Sequence, residues 1–438
     1  MSYTDAILDR ERDQILVAER VDGKRIFTSY PVTWLFYYDD PRGKHRTIYD
    51  TPVSRFVTRN GREFRKELRA HSHLRTWESD IDPVFRCLAE YYRHKPAPHL
   101  HTAFIDIESD FDPQRGFSKP EDPFTAVTAV TVYLDWLDQL VTLALPPRTL
   151  SLDQATDLVA DIPNVFLFDD EGQMLTILLD LIDDADVVSG WNSEGYDVPY
   201  LINRTCQVLS KDDTRRFCLW DQLPKLRTFE RYGAEQSTYD LIGRIHLDYM
   251  QLYRKYTYEE RHSYSLDAIS EYELGEHKTP YEGTLDQLYN NDYAKFIEYN
   301  RQDVMLIARL DQKLRFIDLA NELAHDNTVL IHTTMGAVAV TEQAIINEAH
   351  DRGLIVPDKK HRPRDTEDND QEEDEGAAGA YVAYPKKGLH DSIGAIDLNS
   401  LYPNTIRALN MGPETIVGQI RLSQTEAYIA DKRSRGLS

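Results

Sequence analysis

The chain has 438 residues, enough for two or three domains, and 41% of them are hydrophobic, so a substantial core can be buried. The formal net charge of −24 argues against a protein that wraps duplex DNA with a basic face and favours a soluble acidic enzyme. No apolar run of about eighteen residues predicts a membrane span, the charged start lacks a signal-peptide core, and the few scattered cysteines fit a reducing cytosol.

The first 330 residues predict a mixed domain followed by an α/β layer fold. Residues 1 to about 100 combine short apolar runs with many charges and predict mostly strands. From about residue 101 strands are followed by helices. The predicted strands are LHTAFIDIE, FTAVTAVTVYL and DADVVSGWN, and the predicted helices are YDVPYLINRTCQVL and the stretch from Tyr293 to His325.

An acidic run divides the last part of the chain. Residues 328 to about 364 predict helix and loop. The run DTEDNDQEEDE, from Asp365 to Glu375, has no apolar residue and predicts a solvated linker or exposed loop. Beyond it, GAYVAYPKKG and SIGAIDLNS predict strands that open a further domain, followed by a turn and a helix. The predicted fold class is therefore α/β, in the mixed α+β sense.

Two acidic side chains share one predicted strand. In FIDIESD, Asp106 and Glu108 are two residues apart, so both side chains point to the same face. Two carboxylates this close repel each other unless a cation lies between them. The plainer interpretation is an edge strand whose acids meet water, and the pair alone leaves both interpretations open.

Two further segments carry acids on predicted helices. Asp197 opens the helix that follows SGWNSEGY, where an acid commonly complements the helix dipole. Tyr299 and Asp303 in EYNRQDVML are four residues apart and share one face of a largely apolar helix. Each segment alone is also explained by a helix-start acid, or by a core tyrosine beside a surface acid.

The four acids indicate more together than each does alone. Four converging carboxylates form a hard-oxygen cage for two divalent ions such as Mg²⁺ or Mn²⁺. Two such ions about 3.5–4 Å apart activate a water and stabilise the leaving oxygen of a phosphodiester. Tyr299 at the edge of this cage would orient the attacking water. The residues therefore predict metal-assisted phosphodiester hydrolysis.

Several stretches resemble one known family. DIE, GWNSEGYD and YNRQD resemble, in order and separation, the three exonuclease motifs of family B DNA polymerases, and the tyrosine in the third motif is typical of the DEDDy subclass. SYSLDAISEYELG and TYDLIGRIHLDYMQLYRKY look like the same family. DLNSLYPNTIR resembles polymerase motif A, and GAYV resembles the motif that links the exonuclease and polymerase modules. The PET segment (residues 413–415) makes the likeness greatest to polymerases of T-even-type phages.

The resemblance implies a role for each matching residue. In a ribonuclease H-like exonuclease, the metal-binding acids would be Asp106, Glu108, Asp197 and Asp303, and Tyr299 would position the water. The frayed primer end would contact Asn192 and Tyr196, because an aromatic ring stacks on any base. In the polymerase palm, metal would be bound by Asp397 and the carbonyl of Leu398. The dNTP would lie against Ser400, Leu401 and Tyr402.

The resemblance also implies an order of domains. The first part of an N-terminal domain would occupy residues 1–101 and the exonuclease 102–327; residues 328–376 would return to the N-terminal domain and carry the acidic linker, and 377–438 would begin the palm. The palm needs a second metal aspartate, which the family carries in a D-T-D turn, and the sequence contains no D-T-D. We therefore expect polymerase activity only with a completing C-terminal half. The polar tail DKRSRGLS favours a natural half of a split polymerase over a truncated sequence of a longer protein.

Two other functions stay open. Residues 1–100 and 328–376 could form a domain that binds single-stranded nucleic acid or a clamp, which would make the chain a non-catalytic scaffold of a phage replisome. The other alternative is a free-standing nuclease unrelated to a polymerase, but such an enzyme would have no use for DLNSLYPN. Intact acids at all four metal positions favour the exonuclease. The resemblance implies single-stranded and primer–template DNA as partners, leaves a sliding clamp open, and implies no membrane and the cytoplasm of an infected bacterium.

Overall fold

The computed structural model describes residues 2–231, 234–359, 383–412 and 415, with the side chains of residues 229–236 left out. Within these residues the strands, numbered in chain order, are β1 Ser2–Asp9, β2 Gln14–Val21, β3 Lys24–Pro31, β4 Trp34–Asp39, β5 His45–Thr47, β6 Pro52–Thr58, β7 Thr76–Trp77, β8 Thr102–Ser109, β9 Phe111–Asp112, β10 Gly116–Phe117, β11 Val127–Leu134, β12 Gln139–Ala144, β13 Val165–Leu167, β14 Val187–Gly190, β15 Lys225–Arg231, β16 Ala234–Asp240, β17 Ile245–Asp248 and β18 Leu354–Ile355.

The α-helices of the same residues are numbered in the same way. They are α1 Gly61–Ala70, α2 Pro83–Tyr92, α3 Leu152–Leu158, α4 Glu171–Leu181, α5 Asp197–Val208, α6 Tyr249–Tyr256, α7 Leu266–Leu274, α8 Leu285–Asn291, α9 Tyr293–Leu314, α10 Phe316–Asn327, α11 Ala337–Asp351 and α12 Leu401–Leu409. None of these helices is long and apolar enough to cross a membrane.

A six-stranded sheet forms the centre of the fold, in the order β13-β12-β11-β8-β14-β17. β8 runs antiparallel to β11 and parallel to β14, so it lies in the interior of the sheet. Its register places Asp106 opposite Thr131 and Glu108 opposite Ala129. β11 is buried along its whole length, and its valine- and threonine-rich sequence suits a strand covered on both faces.

The two faces of this sheet are covered by different helices. Ile105 and Ile107 of β8 pack into a core with residues of α4 and α5. Phe104 packs into a second core with α6, α7, α9 and α10, and α9 lies against both β8 and β11. Because side chains alternate along a strand, Asp106 and Glu108 point to the same face as Phe104, which is the face covered by α9.

The N-terminal strands form two smaller sheets. β1, β2 and β3 make an antiparallel meander, and α2 packs against β1 and β2. The Tyr3 hydroxyl donates to the carbonyls of Ala324 (3.0 Å) and Val329 (2.7 Å), so the start of the chain is fastened to residues over 300 positions later. A five-stranded sheet has the order β18-β5-β6-β4-β7, with β18 parallel to β5.

The chain divides into two compact units. The first comprises residues 1–35, 57–69 and 81–348, and the second comprises 36–56, 70–80 and 349–438. The second unit contains most of the five-stranded sheet and the segment 383–412. The boundaries between the four segments that the resemblance implies stay predictions.

Most predicted elements are confirmed. The three strands correspond to β8, β11 and β14, and the helix after the third is α5. Residues 1–100 contain more strand than helix, as predicted, but they also contain the two helices α1 and α2. The long helical stretch from Tyr293 is broken at Arg315, which has a left-handed φ of 54° and separates α9 from α10.

The strands predicted after the acidic run are wrong within the described residues 383–400. Residues 383–400 contain no strand, although the helix predicted after the turn is present as α12. A strand is stabilised by pairing with a neighbour, and no neighbour pairs with residues 383–400 within the described chain. GAYV, the acidic run from Asp365 to Glu375, and residues 413–414 of the PET segment lie outside the described residues.

Candidate active site

The acidic pair on β8 lies in the interior of the sheet, so the edge-strand interpretation is wrong. Asp106 and Glu108 are partly buried, and α9 covers the face to which they point. The amide of Asn300, a fully buried residue of α9, donates to Asp106 Oδ2 at 2.7 Å. The helix therefore fixes the orientation of one carboxylate of the pair.

Asp197 is fastened to the same strand from another helix. It is the first residue of α5 and only 5% exposed. Its Oδ1 accepts the backbone N–H of Ile107 at 3.1 Å, between the two acids of β8. The carboxylate thus has a structural partner in addition to its place at a helix start.

Tyr299 and Asp303 lie on one face of α9, as their spacing predicts. Asp303 is 2% exposed, so it is not a surface acid, and among the described residues its Oδ1 has no hydrogen-bond partner. One oxygen from each of Asp106, Glu108 and Asp303 lies within 4.8 Å of the others. The structure therefore brings three of the four predicted acids into one cluster. Asp197 is outside this closest group but raises the pKa of Asp106 and of Glu108.

Sequence reasoning missed the cation of this cluster, Lys278. It lies in the loop between α7 and α8, and its backbone N–H donates to Asp267 Oδ1 at 2.8 Å. Its ammonium donates to Asp303 Oδ2 at 2.7 Å and to the Tyr299 hydroxyl at 3.1 Å. A single lysine in a polar loop carries no periodic pattern, so the sequence offered no signal for it.

Asp248 was also missed, and it holds the loop of the second motif. It ends β17, and its carboxylate accepts the backbone N–H groups of Asn192 (3.2 Å) and Glu194 (3.1 Å). It also caps α6 through the N–H groups of Met250 and Gln251. Burial raises its pKa to about 6, against these hydrogen bonds. An aspartate directly before a helix was the available signal, because that pattern predicts an N-cap.

The acidic cluster contains more carboxylates than cations, and the pKa values of its acids are raised. Burial first, and then the neighbouring carboxylates, raise the pKa of Asp106 well above its ordinary range. Burial and the charge of Asp303 raise the pKa of Glu108 to about 8, although Lys278 lowers it. Burial raises the pKa of Asp197 to about 7, against the hydrogen bond from Ile107. At neutral pH the cluster therefore favours binding a further positive charge.

These residues fit a divalent metal site. All their donor atoms are carboxylate oxygens, the ligands that Mg²⁺ and Mn²⁺ prefer. Asp303 Oδ1, which no described residue hydrogen-bonds, is a buried acceptor that a metal ion would satisfy. For Lys278, burial opposes the charge, but attraction to Asp303 and Tyr299 outweighs this and raises the pKa. Its single charge does not balance the carboxylates.

The two residues predicted to contact DNA lie beside these acids. Asn192 is exposed and has a left-handed φ of 59° in the loop held by Asp248. Tyr196 precedes Asp197 directly, packs on Tyr200, and hydrogen-bonds Ser109 through its hydroxyl at 2.9 Å. Burial raises its pKa to about 12, so the phenol stays neutral.

The residues predicted for the polymerase site are exposed. Asp397, Leu398, Ser400, Leu401 and Tyr402 lie at or just before α12, which has no buried residue. Asp397 belongs to no cluster of three acidic, histidine or cysteine ligands within the described part of the chain. The structure thus brings the exonuclease residues together and gives the polymerase residues no such arrangement.

Comparison with known families identifies the class of protein. Residues 63–269 match the family described as DNA polymerase family B, exonuclease domain, and residues 329–433 match DNA polymerase family B. The two matches follow each other in the order that the motifs predict. The chain belongs to the family B DNA polymerases and contains their exonuclease domain and the start of their polymerase region.

Individual relatives agree with this assignment. The DNA-directed DNA polymerase of Escherichia phage RB69 is 28% identical over 264 residues, which are 60% of this chain and 28% of that protein. The enzyme of Enterobacteria phage T4 is 29% identical over 265 residues, again 60% and 28%. The DNA polymerase delta catalytic subunit of Bos taurus is 30% identical over 252 residues, 53% of this chain and 21% of that subunit. The chain thus matches less than a third of each relative's length.

Proposed function

We propose that this chain is a metal-dependent 3′–5′ exonuclease that proofreads DNA, joined to the beginning of a polymerase palm. The observation that carries the proposal is the cluster of Asp106, Glu108 and Asp303, with one oxygen of each within 4.8 Å of the others. Within the described part of the chain, the buried Oδ1 of Asp303 has no partner. Asp197, anchored to β8 beside them, completes the predicted acid set.

The acids would hold two divalent metal ions, Mg²⁺ or Mn²⁺. Bound ions of this kind lower the pKa of a water and stabilise charge on the leaving oxygen of a phosphodiester. Asn300 supports the site by fixing Asp106, and Ile107 supports it by fixing Asp197. The protein thus provides oriented carboxylates on three separate elements, β8, α5 and α9.

Tyr299 and Lys278 would position the attacking water. The Lys278 ammonium donates to the Tyr299 hydroxyl, which fixes that oxygen beside Asp303. Burial first, and then the charge of Asp303, raise the pKa of Tyr299, so the phenol keeps its proton and remains a hydrogen-bond donor. The exposed Asn192 and the ring of Tyr196 would receive the unpaired 3′ end, because stacking and backbone contacts accept any base.

Polymerase activity would need groups from further polypeptide. Asp397 would be one of two metal ligands in the palm, with dNTP contacts from Ser400, Leu401 and Tyr402. The segment 384–411 exposes ten large hydrophobic side chains, which is typical of a surface covered by a partner. The remaining palm, the fingers and the thumb would cover it, as a separate half or as a continuation of the chain.

The setting of the activity follows from the relatives. The RB69 and T4 enzymes are phage proteins named DNA-directed DNA polymerases. We place the activity in DNA replication in an infected bacterial cytoplasm. A contact with a sliding clamp stays a prediction of the resemblance.

The test is a gel assay of the full chain with Mg²⁺ and a 5′-labelled primer on a mismatched template, with and without dNTPs. We expect the primer to shorten from its 3′ end and never to lengthen. Asp303→Ala should slow shortening about 1,000-fold, because a lost metal ligand removes several kcal/mol of transition-state stabilisation. The matched control is Glu298→Ala, an exposed acid on the same helix, which should cleave normally.

Each outcome of this assay separates the candidate functions. A wild-type chain that binds the primer without shortening it would favour the scaffold interpretation. Cleavage that survives in Asp303→Ala would contradict the metal-ligand assignment. Extension of the primer by the chain alone would contradict the need for a completing part.

A further inference from the structure

A basic surface lies on α1, which contains none of the residues of the acidic cluster. Arg62, Arg65, Lys66 and Arg69 follow one another at intervals of three, one and three residues, so they share one helical face. All of them are exposed. Residues 59–69 contain five arginines and lysines and only two glutamates, in a chain with a net charge of −24.

The opposite side of α1 is packed against the fold, which leaves the basic face outward. Phe64 is buried, and its ring lies 5.3 Å from that of Trp34. The indole N–H of Trp34 and the backbone N–H of Gly61 both donate to the carboxylate of Asp13. These contacts fix α1 against the β1–β2 turn.

A groove of about 770 Å³ runs beside this face. Its cationic lining comes from Arg10, Arg62 and Arg65, and the indole of Trp34 contributes an aromatic wall. Of its two acids, Asp13 is already used by Gly61 and Trp34, whereas Glu11 is exposed. None of Arg10, Arg62 and Arg65 forms a salt bridge within the described residues. The groove therefore offers cations that no described carboxylate pairs with, next to an aromatic surface.

We propose that the basic face of α1 and its groove bind the phosphate backbone of single-stranded DNA. Like charges at intervals of four residues repel each other, and a row of phosphates would relieve this repulsion. A cationic groove with an aromatic wall is the general design of single-strand binding surfaces. A duplex would have to approach a largely acidic protein over a wider surface, whereas one strand needs only the groove.

The choice of DNA as the occupant rests on the proposed function, but binding at this face does not depend on cleavage. The test uses the full chain in EDTA, so the labelled strand stays intact. The probe is a 5′-fluorescein oligo(dT) of about 30 nucleotides, and its anisotropy is followed over a series of salt concentrations. A chain that binds through α1 but never cleaves would contradict only the proposed function.

The main variant combines Arg62→Gln, Arg65→Gln and Lys66→Gln. We expect at least a tenfold loss of affinity at moderate salt. The slope of log K against log salt should fall by about 2, because each phosphate contact on a single strand contributes about 0.7. The matched control combines Lys24→Gln, Lys119→Gln and Lys211→Gln, three scattered exposed lysines, and should bind like wild type.

Two further variants separate a loss of binding from misfolding. Arg62→Lys with Arg65→Lys keeps the charges and should retain the salt slope, and the single change Arg65→Gln should lower it by about 0.7. Equal losses in the α1 variant and the scattered control would overturn the proposal, because net charge alone would then explain them. Unchanged binding in the α1 variant, or tighter binding of oligo(rU) or duplex through the same face, would also overturn it.

Discussion

Helices α9 and α12 both carry motif residues of the family, and they differ in what lies against them. α9 packs on β8 and β11, and it buries both Tyr299 and Asp303. α12 has no buried residue, and Leu401, Tyr402, Ile406 and Leu409 are each about half exposed or more. A motif thus becomes a site only where the fold supplies the neighbouring groups that its chemistry needs.

Truncating one leucine in each helix tests this difference in packing. Leu306→Ala in α9 should lower the free energy of unfolding by about 2–5 kcal/mol, because it leaves a cavity in a packed core. Leu409→Ala in α12 should change it by less than about 0.5 kcal/mol, because its side chain is 66% exposed. Urea unfolding measures both values. Equal losses would show that α12 is packed as tightly as α9.

The second prediction concerns Lys278, the cation that hydrogen-bonds Tyr299 and Asp303 of α9. Lys278→Ala should slow 3′-end cleavage about 10- to 100-fold, as is typical when a group that orients a metal site is lost. Lys278 lowers the pKa of Glu108 and of Asp303, so its loss should also shift the acidic limb of the pH–rate profile to higher pH. Cleavage rates between pH 5 and pH 9 test both effects.

Two variants separate positioning by Lys278 from general stability. Lys278→Arg keeps a cation and should restore part of the rate. Lys295→Ala, in the first turn of α9, removes a lysine that is not bonded to Tyr299 or Asp303 and should leave the profile unchanged. A rate loss in Lys278→Ala without any shift of the pH profile would contradict the electrostatic role.

The third and smallest effect is on the stability of the metal-free protein. Below the ordinary pKa of a glutamate, Glu108 is protonated in both the folded and the unfolded state. Between that value and about 8, only the folded state holds the proton, so the free energy of unfolding falls as the pH rises. Glu108→Gln removes this loss. In EDTA, its Tm should exceed that of the wild type by about 2 °C or more at pH 8 and by less at pH 5.

Metal ions should reverse the order of stability of the wild type and Glu108→Gln. In Mg²⁺ the wild-type chain should gain more stability than Glu108→Gln, because bound metal stabilises the folded state alone. Glu298→Gln, an exposed glutamate of α9, serves as the control and should follow the wild type in both buffers. A Tm difference that is the same at pH 5 and pH 8 would contradict the raised pKa of Glu108.

Much of the exonuclease part was predictable, because its signals are local. The two-residue spacing of Asp106 and Glu108 determined a shared face, and the four-residue spacing of Tyr299 and Asp303 did the same on α9. The strands predicted within residues 379–400 were wrong where described, because an extended apolar segment forms a strand only if another strand pairs with it. Neither composition nor alternation shows whether that partner is present.

Local sequence was enough to predict the residue types of the site, the secondary structure around most of the motifs, and the family to which the motifs belong. Folding, in contrast, made β8 an interior strand and buried Asp303 with one oxygen unpartnered among the described residues. It also brought Lys278 and Asn300 into hydrogen bonds with acids of the cluster, and Asp248 into hydrogen bonds with the loop of the second motif. The two kinds of property depend on different distances along the chain. Side-chain periodicity follows from backbone geometry over a few residues, whereas burial, charge balance and hydrogen bonding depend on segments that meet only when the chain folds.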